Sequence, residues 1–393
     1  MAGALAGIRV ADFSRVLAGP YATMLLGDLG ADVVKVERPG AGDETREWGP
    51  PHDADGVATY YLGLNRNKRS VALDLSAPQD LTAARELARR ADVLVENFKP
   101  GTMERLGMGY EDLRRTNSGL IYCSITGFGT GDGRDLPGYD LVEQAVGGLM
   151  SVTGPGPGQP TKVGVALVDV ISGLHAALGI LAALRHRERT GTGQRVQVSL
   201  LGSLLSGLVN QASGYVAAGV VPGILGNAHP SIAPYEAYDV ADGKMVLAVG
   251  NDRQFADACE VLGLQKVARD RRFHTNADRV RNRKKLNQAL APALRRRTRD
   301  ELFAAMRGAG VPCGPINDLA GAFAFAEALG LSPVVEVVDP RRETPVRQVR
   351  NPLRMSATPP SYRLAPPGLD EDGAEIMEEI GLPPRLSETR PSE

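Results

Sequence analysis

Cysteine is nearly absent. Cys123, Cys259 and Cys313 are the three in 393 residues, far apart and without a CxxC pair. That spacing argues against a disulfide framework or a zinc ribbon and points to a reducing compartment. A charge excess is missing too: 45 Lys and Arg stand against 46 Asp and Glu, a net charge of -1. No global field therefore favours nucleic acid or an anionic membrane. The opening MAGALAGIRVADFS lacks both the basic start and the sustained apolar run of a signal peptide, so a cytoplasmic location is expected. The longest apolar run, Val163 to Leu184, is interrupted by Asp169, Ser172 and His175. A carboxylate at mid-bilayer is expensive, so this stretch reads as a core helix rather than a membrane span. No GxGxxG follows the first strand-like segment, where SRVLAGP stands instead, and the later GPGPG has no strand before it. A nicotinamide dehydrogenase is disfavoured on both counts.

What is present is alternation of strand and helix. GIRVADFS, ADVVKVERPG, RSVALDLS, ADVLVENF, GLIYCSITGFG and RVQVSLL read as strands. AGPYATMLLGDLG and PQDLTAARELARR read as helices, the first with Pro20 in its opening turn. Strand-helix-strand units of about thirty residues imply parallel pairing, hence an α/β domain of Rossmann-like character. A Gly- and Pro-rich loop, TGPGPGQPTKVG, leads into a long helix expected over about Val170–Arg189. From about residue 225 the pattern changes to a hairpin, YEAYDV-ADGK-MVLAVG, followed by arginine-rich helices. The expected organisation is a large α/β domain over 1–224, a smaller α+β domain over 225–325, and a segment 326–393 that returns to the large domain. The arginines of 269–299 read as a solvated face. Nucleic-acid binding through them is the non-enzymatic alternative, but aromatic interleaving is missing.

Several segments resemble the family III CoA-transferases in order and spacing. They are DFSRVLAGPYATMLLGDLGADVVKVERPGAGDETR, LNRNKRSVALDLS, VENFKPGTMERLG, SITGFG, GYDLVEQAVGGLMSVTG, VDVISGLHAALGILAALRHRERTGTGQ and GVPCGPIND. GNAHPSIAPYEAYDVADGKMVLAVGNDRQFADACEVLGL with NADRVRNRKKL is similar to the branch acting on dicarboxylic acids. The resemblance implies a ring-like homodimer of interlocked chains, acyl-CoA and a carboxylic acid as substrates, no permanently bound cofactor and no metal; from charge balance and the apolar pattern, no nucleic-acid or membrane partner is expected.

The resemblance places the covalent nucleophile at Asp169. Read without it, an Asp at a helix start is a cap for free backbone N–H groups; the two roles are compatible. Proximity to a helix N-terminus is expected to keep Asp169 ionised at neutral pH. For CoA, the resemblance points to Val16, Ala18, Arg38, Leu73, Asn97, Phe98 and Arg105. Individually these read as a surface charge at Arg38, a core ring at Phe98 and a turn residue at Asn97. Arg15, Arg46 and His229 are candidates for holding a second carboxylate, and Leu17, Tyr139, Asp140 and Gly250 for lining the acyl pocket. Gly147 and Gly148, or Gly250, are candidates to present oxyanion donors, and the sequence does not choose among them. Leu17 departs from the formate–oxalate enzymes, which carry Gln there, and implies another acyl specificity. The α-methylacyl-CoA racemases share the fold but carry His-Asp where this chain has Tyr139-Asp140, and a racemase needs a paired acid and base.

Overall fold

The computed structural model describes residues 3–383; sequence expectations for 1–2 and 384–393 lie outside them. The chain divides into two units. The first holds the described residues up to Leu149, then Val163–Val220, then those from Ser332 onward. The second holds Met150–Lys162 and Val221–Leu331.

In the first unit six short strands make one sheet: β1 (Arg9–Asp12), β2 (Asp32–Glu37), β3 (Lys68–Ala72), β4 (Val93–Glu96), β5 (Ile121–Thr126) and β6 (Arg195–Ser199). All pair in parallel, in the order β3-β2-β1-β4-β5-β6. Strands such as β2 and β4 are buried along nearly their whole length, as expected when helices cover both faces of a parallel sheet. The order reverses between β1 and β4, the kind of switch point where open α/β sheets bind ligands.

Four helices pack on this sheet or beside its switch point: α1 (Ala18–Asp28), α2 (Pro78–Arg90), α3 (Asp140–Val146) and α4 (Leu167–Thr190). On one face of the sheet, Ala22 and Leu26 of α1 and Ala176, Ile180 and Ala183 of α4 pack on Val10, Val93, Val95 and Ile121. Gly173 permits the close α1–α4 approach, since a Cβ there would meet the Ala18 carbonyl oxygen at 2.7 Å. Among the described residues α4 is the one helix long and apolar enough to cross a membrane, yet it lies in this core. On the other face, Ala84 and Leu87 of α2 join Val34, Leu94 and Tyr122.

The segment after Ser332 forms an antiparallel hairpin (Val334–Val337 with Val346–Val349) and a last helix, Gly373–Glu379. Ile376, Met377 and Ile380 enter the second core face. Asp372 and Asp370 accept from the backbone N–H groups of Ser70 and Ala72, both at 2.8 Å, which caps the open edge of β3.

The second unit is a three-stranded antiparallel sheet (Tyr235–Val240, Gly243–Ala248, Cys313–Pro315). Helices such as Asp252–Val261, Arg283–Leu294 and Arg299–Gly308 surround a core that includes Met245, Leu247, Phe255, Leu286 and Met306. One arginine of the expected solvated face is instead fully buried. Arg279 donates to Asp252 at 2.7 Å and to the Ala233 carbonyl at 2.7 Å, and lies 4.5 Å over the Phe255 ring. Its charge is tolerated there because its donors find an acid and carbonyls.

Candidate active site

Helix α4 begins three residues earlier than its sequence suggests. Ala166 is its N-cap and supplies no side-chain cap, so Asp169 sits in the first turn rather than before it. The capping comes from elsewhere: Asp140 Oδ1 accepts from the backbone N–H of Val168 at 2.7 Å and of Asp169 at 3.3 Å. Its other oxygen accepts from Gln144 at 2.6 Å. Asp140 therefore takes the capping role that Asp169 would otherwise fill, leaving the Asp169 carboxylate to face a cavity.

The expectation that Asp169 stays fully ionised near neutrality is overturned. Burial, then the charges of Asp140 and Glu143, push its pKa up to about 7. These outweigh the favourable field of the helix N-terminus, which is itself partly neutralised by Asp140. Glu143 is fully buried and its own pKa is raised, chiefly by that burial.

The cavity with Asp169 measures about 240 Å³ and is lined by Arg15, Val16, Leu17, Ala18, Asn97, Phe98 and Tyr139, among others. A larger cavity of about 520 Å³ is lined by Arg38, Leu73, Trp48 and Thr102, and shares Arg15, Glu44 and Phe98 with the first. The switch point of the sheet thus gathers six of the seven residues expected to bind CoA. Arg105 lines neither cavity; its guanidinium bonds to Thr102 at 3.1 Å, one turn back on the same short helix.

A buried ionic network shapes the turn between β1 and α1. Lys35 and Lys68 are both fully buried and bond to Asp43 (2.8 Å) and Asp12 (3.0 Å) respectively. Lys35 also reaches the Ser14 carbonyl, and Asp43 accepts from the Val16 N–H at 3.3 Å. Burial works against the Asp43 charge, but Lys35 overcomes it and holds the pKa down to about 2. Val16 adopts φ +67°, a left-handed conformation that is strained for a β-branched residue and needs such surroundings to persist. Asn97 clamps the same turn by accepting from Arg15 N and donating to Arg15 O, at 2.9 and 2.8 Å.

Geometry also constrains the other candidates. Arg46 is not available for a substrate carboxylate: it bonds to both Glu37 oxygens (2.8 and 2.7 Å), to Tyr61 Oη, and lies 3.9 Å over the Tyr61 ring. Gly147 caps α3 by donating to the Glu143 carbonyl, and Gly250 donates to Gln254, so neither N–H is free for an oxyanion. Gly148 turns the chain at φ +86°. His229 belongs to the second unit, where its ring accepts from Ser231 N at 3.0 Å and packs on Tyr235. Tyr139 lines the smaller cavity with its side chain largely exposed.

Sequence reasoning missed Tyr60, Glu143 and the Lys35–Asp43 pair. Tyr60 packs edge-on to Trp48 at 5.2 Å. Burial raises its pKa to about 12, with Asp169 the largest charge acting on it. Nothing in the local pattern at ATYYLG signals that proximity. The lysine in VVKVE, however, is a charge inside a buried-strand pattern, and that is a readable sign of a buried partner.

The chain matches the model of CoA-transferase family III over residues 5–373. It is 44% identical over 384 residues to the succinate–glutarate CoA-transferase of Agrobacterium fabrum, covering 96% of this chain and 95% of that protein. It is 41% identical to the human succinyl-CoA:glutarate CoA-transferase, covering 96% of this chain and 86% of that protein. The succinyl-CoA:mesaconate CoA-transferase of Haloarcula hispanica is 40% identical, with 97% of each chain covered. The crystal structure of a CaiB/BaiF family protein from Brucella suis superposes with a TM-score of 0.86 at 41% identity, covering 97% of this chain and all of that one. By sequence and by fold, this chain belongs to CoA-transferase family III.

Proposed function

We propose that the protein transfers CoA from succinyl-CoA to a second dicarboxylic acid, with Asp169 as covalent nucleophile. The supporting observation is a partly buried carboxylate in the first turn of a helix whose N-terminus a neighbouring acid caps, facing a cavity that adjoins a larger one at the sheet's switch point. The similar succinyl-CoA-using enzymes support the acyl class.

In the proposed sequence, an Asp169 oxygen attacks the thioester carbonyl and the C–S bond breaks, giving a mixed anhydride and CoA thiolate. The thiolate attacks the aspartyl carbonyl, succinate leaves, and an aspartyl-CoA thioester remains. The acceptor carboxylate then attacks that thioester, and the released thiolate attacks the acceptor's acyl carbon. New acyl-CoA forms and the Asp169 carboxylate is restored. The larger cavity would take the nucleotide end of CoA, with Arg38 and Phe98 in its wall. Binding that distant part offsets the cost of forming the anhydride.

The raised pKa of Asp169 serves this chemistry. An ordinary carboxylate near ~3.9 displacing a thiolate near ~8.5, the cysteine value standing for the CoA thiol, faces a mismatch of about 4–5 units. With Asp169 at about 7, the gap narrows to roughly 1–2 units, which removes about 4 kcal/mol if leaving-group stability follows pKa. The cost is a smaller ionised fraction, so the sign of the pH dependence is set: kcat/KM for succinyl-CoA rises with pH through about 7. Asp140→Asn should move that rise to lower pH by about one unit. It deletes the neighbouring charge while an amide oxygen still accepts from Val168 and Asp169. A pH–rate profile of both proteins checks this, and an unmoved limb would remove Asp140 from the control of Asp169.

The reading includes an interlocked, ring-like homodimer in the cytoplasm. Exposed apolar side chains at Val209, Tyr215 and Val216 in the first unit, and at Leu319 and Phe325 in the second, support a covered surface. The function is tested by incubating the protein with succinyl-CoA and a panel of dicarboxylates, separating the CoA esters by chromatography with mass detection. A new dicarboxylyl-CoA supports the reading and ranks acceptors. Interconversion of α-methyl epimers without transfer would replace it with racemization.

A further inference from the structure

We propose that Arg15 selects dicarboxylic acyl groups by exchanging the Glu44 carboxylate for the far carboxylate of the substrate. The inference rests on the CoA-transfer reading above and adds the residue that sets its acyl specificity.

Arg15 lines the cavity that holds Asp169, and also the larger cavity beside it. With Phe98 and Glu44 it forms the shared wall, its guanidinium 5.4 Å over the Phe98 ring. The main chain of Arg15 is fixed on both sides by Asn97, and the next residue is the strained Val16. The backbone is rigid, yet the head group is only loosely used. Nη1 pairs with Glu44 at 2.6 Å in a partly exposed contact, 39% and 45% accessible on the two side chains. Nε is buried without a hydrogen-bond partner. A guanidinium offers a planar fork suited to two carboxylate oxygens, and here one prong is idle.

The surroundings of Asp169 make a cation necessary. Asp140 and Glu143 already place negative charge around it, so the distal carboxylate of a diacid approaches against repulsion unless it is neutralised. Lys99 and Arg134 also line this cavity but are exposed to solvent, whereas Arg15 is half-buried. Glu44 therefore occupies, in the free protein, the place the substrate takes. Exchange of one carboxylate for another keeps Arg15 paired throughout, and a monoacid leaves it on Glu44.

The test uses glutarate and its monomethyl ester as acceptors, with succinyl-CoA as donor. In a double-displacement reaction the acceptor's kcat/KM does not depend on the donor, so the ratio of the two acceptors reads the distal charge alone. Arg15→Gln should lower the glutarate-to-ester ratio at least about tenfold, as loss of a charged hydrogen bond does. Arg15→Lys should restore part of it. Glu44→Gln should act in the opposite sense, lowering KM for glutarate because the resident competitor is gone; a folding defect does not produce that gain. An unchanged ratio in Arg15→Gln overturns the assignment. So does an equal loss for succinyl-CoA and butyryl-CoA, which would give Arg15 to the CoA moiety. A wild-type protein that makes no glutaryl-CoA overturns the functional reading first, and this inference with it.

Discussion

Asp169→Ala should abolish CoA transfer and, above neutral pH, make the protein more stable. The loss of turnover should be at least about 10⁴-fold, because a covalent route has no substitute when its nucleophile is removed. The gain in stability follows from the same burial that tunes the nucleophile. In the unfolded chain an Asp titrates near 3.8, whereas in the folded state Asp169 titrates at about 7. Between those values the native state holds a proton that the unfolded state has lost. Stability is therefore complete below the unfolded pKa and falls as pH rises through the folded one. Three pH units correspond to about 4 kcal/mol at most. The variant lacks this dependence, so the stability difference should grow in its favour by roughly 2–4 kcal/mol between pH 4 and pH 8. Urea unfolding at both pH values measures it, alongside transfer assays. Turnover above about 1% of wild type, or a stability difference flat with pH, would sink the assignment.

How much of the fold and site is legible in the sequence depends on whether the signal is local. The parallel sheet follows from short apolar segments spaced by helical ones, and its strands fall where GIRVADFS, VVKVE, VLVE and IYCSIT stand. The helix carrying Asp169 is legible, but its start is not, because the cap is Asp140, 26 residues before Ala166. A capping acid on another element leaves no trace in the local pattern. The pKa of Asp169 is misjudged for the same reason: the helix field is local, whereas burial and the charges of Asp140 and Glu143 belong to the tertiary fold. Arg279 shows the opposite error. It lies in an arginine-rich stretch that reads as solvated, yet it is held by a partner distant in sequence. The gathering of Val16, Ala18, Asn97, Phe98 and Asp169 around one cavity comes from the family resemblance, not from periodicity or spacing.

Asp28→Ala should cost roughly 3–5 kcal/mol, the penalty of leaving a buried charge without its partner. Asp28 is fully buried at the end of α1 and accepts from Arg66 at 2.8 and 2.7 Å, from Asn67 at 2.9 Å and from Asn351 at 2.9 Å. Arg66 is itself nearly inaccessible, so its charge has no solvent to turn to. The site also joins two distant parts of the first unit, since Asn351 comes after the C-terminal hairpin and Asn67 accepts from the Arg363 N–H at 2.7 Å. Loss of Asp28 should therefore lower the midpoint of thermal unfolding by several degrees and open the segment after Ser332 to protease before the rest of the chain. Asp28→Asn should cost less, because an amide oxygen still accepts although the charge is gone. Pairing Asp28→Leu with Arg66→Met should recover part of the loss, as apolar replacement of both ions removes the stranded charge. Thermal melts and timed proteolysis of these three variants decide the matter. A melt unchanged in Asp28→Ala would mean that Arg66 finds another partner and that the C-terminal segment is held by its other contacts, the apolar Ile376, Met377 and Ile380 and the bonds of Asp370 and Asp372 to β3.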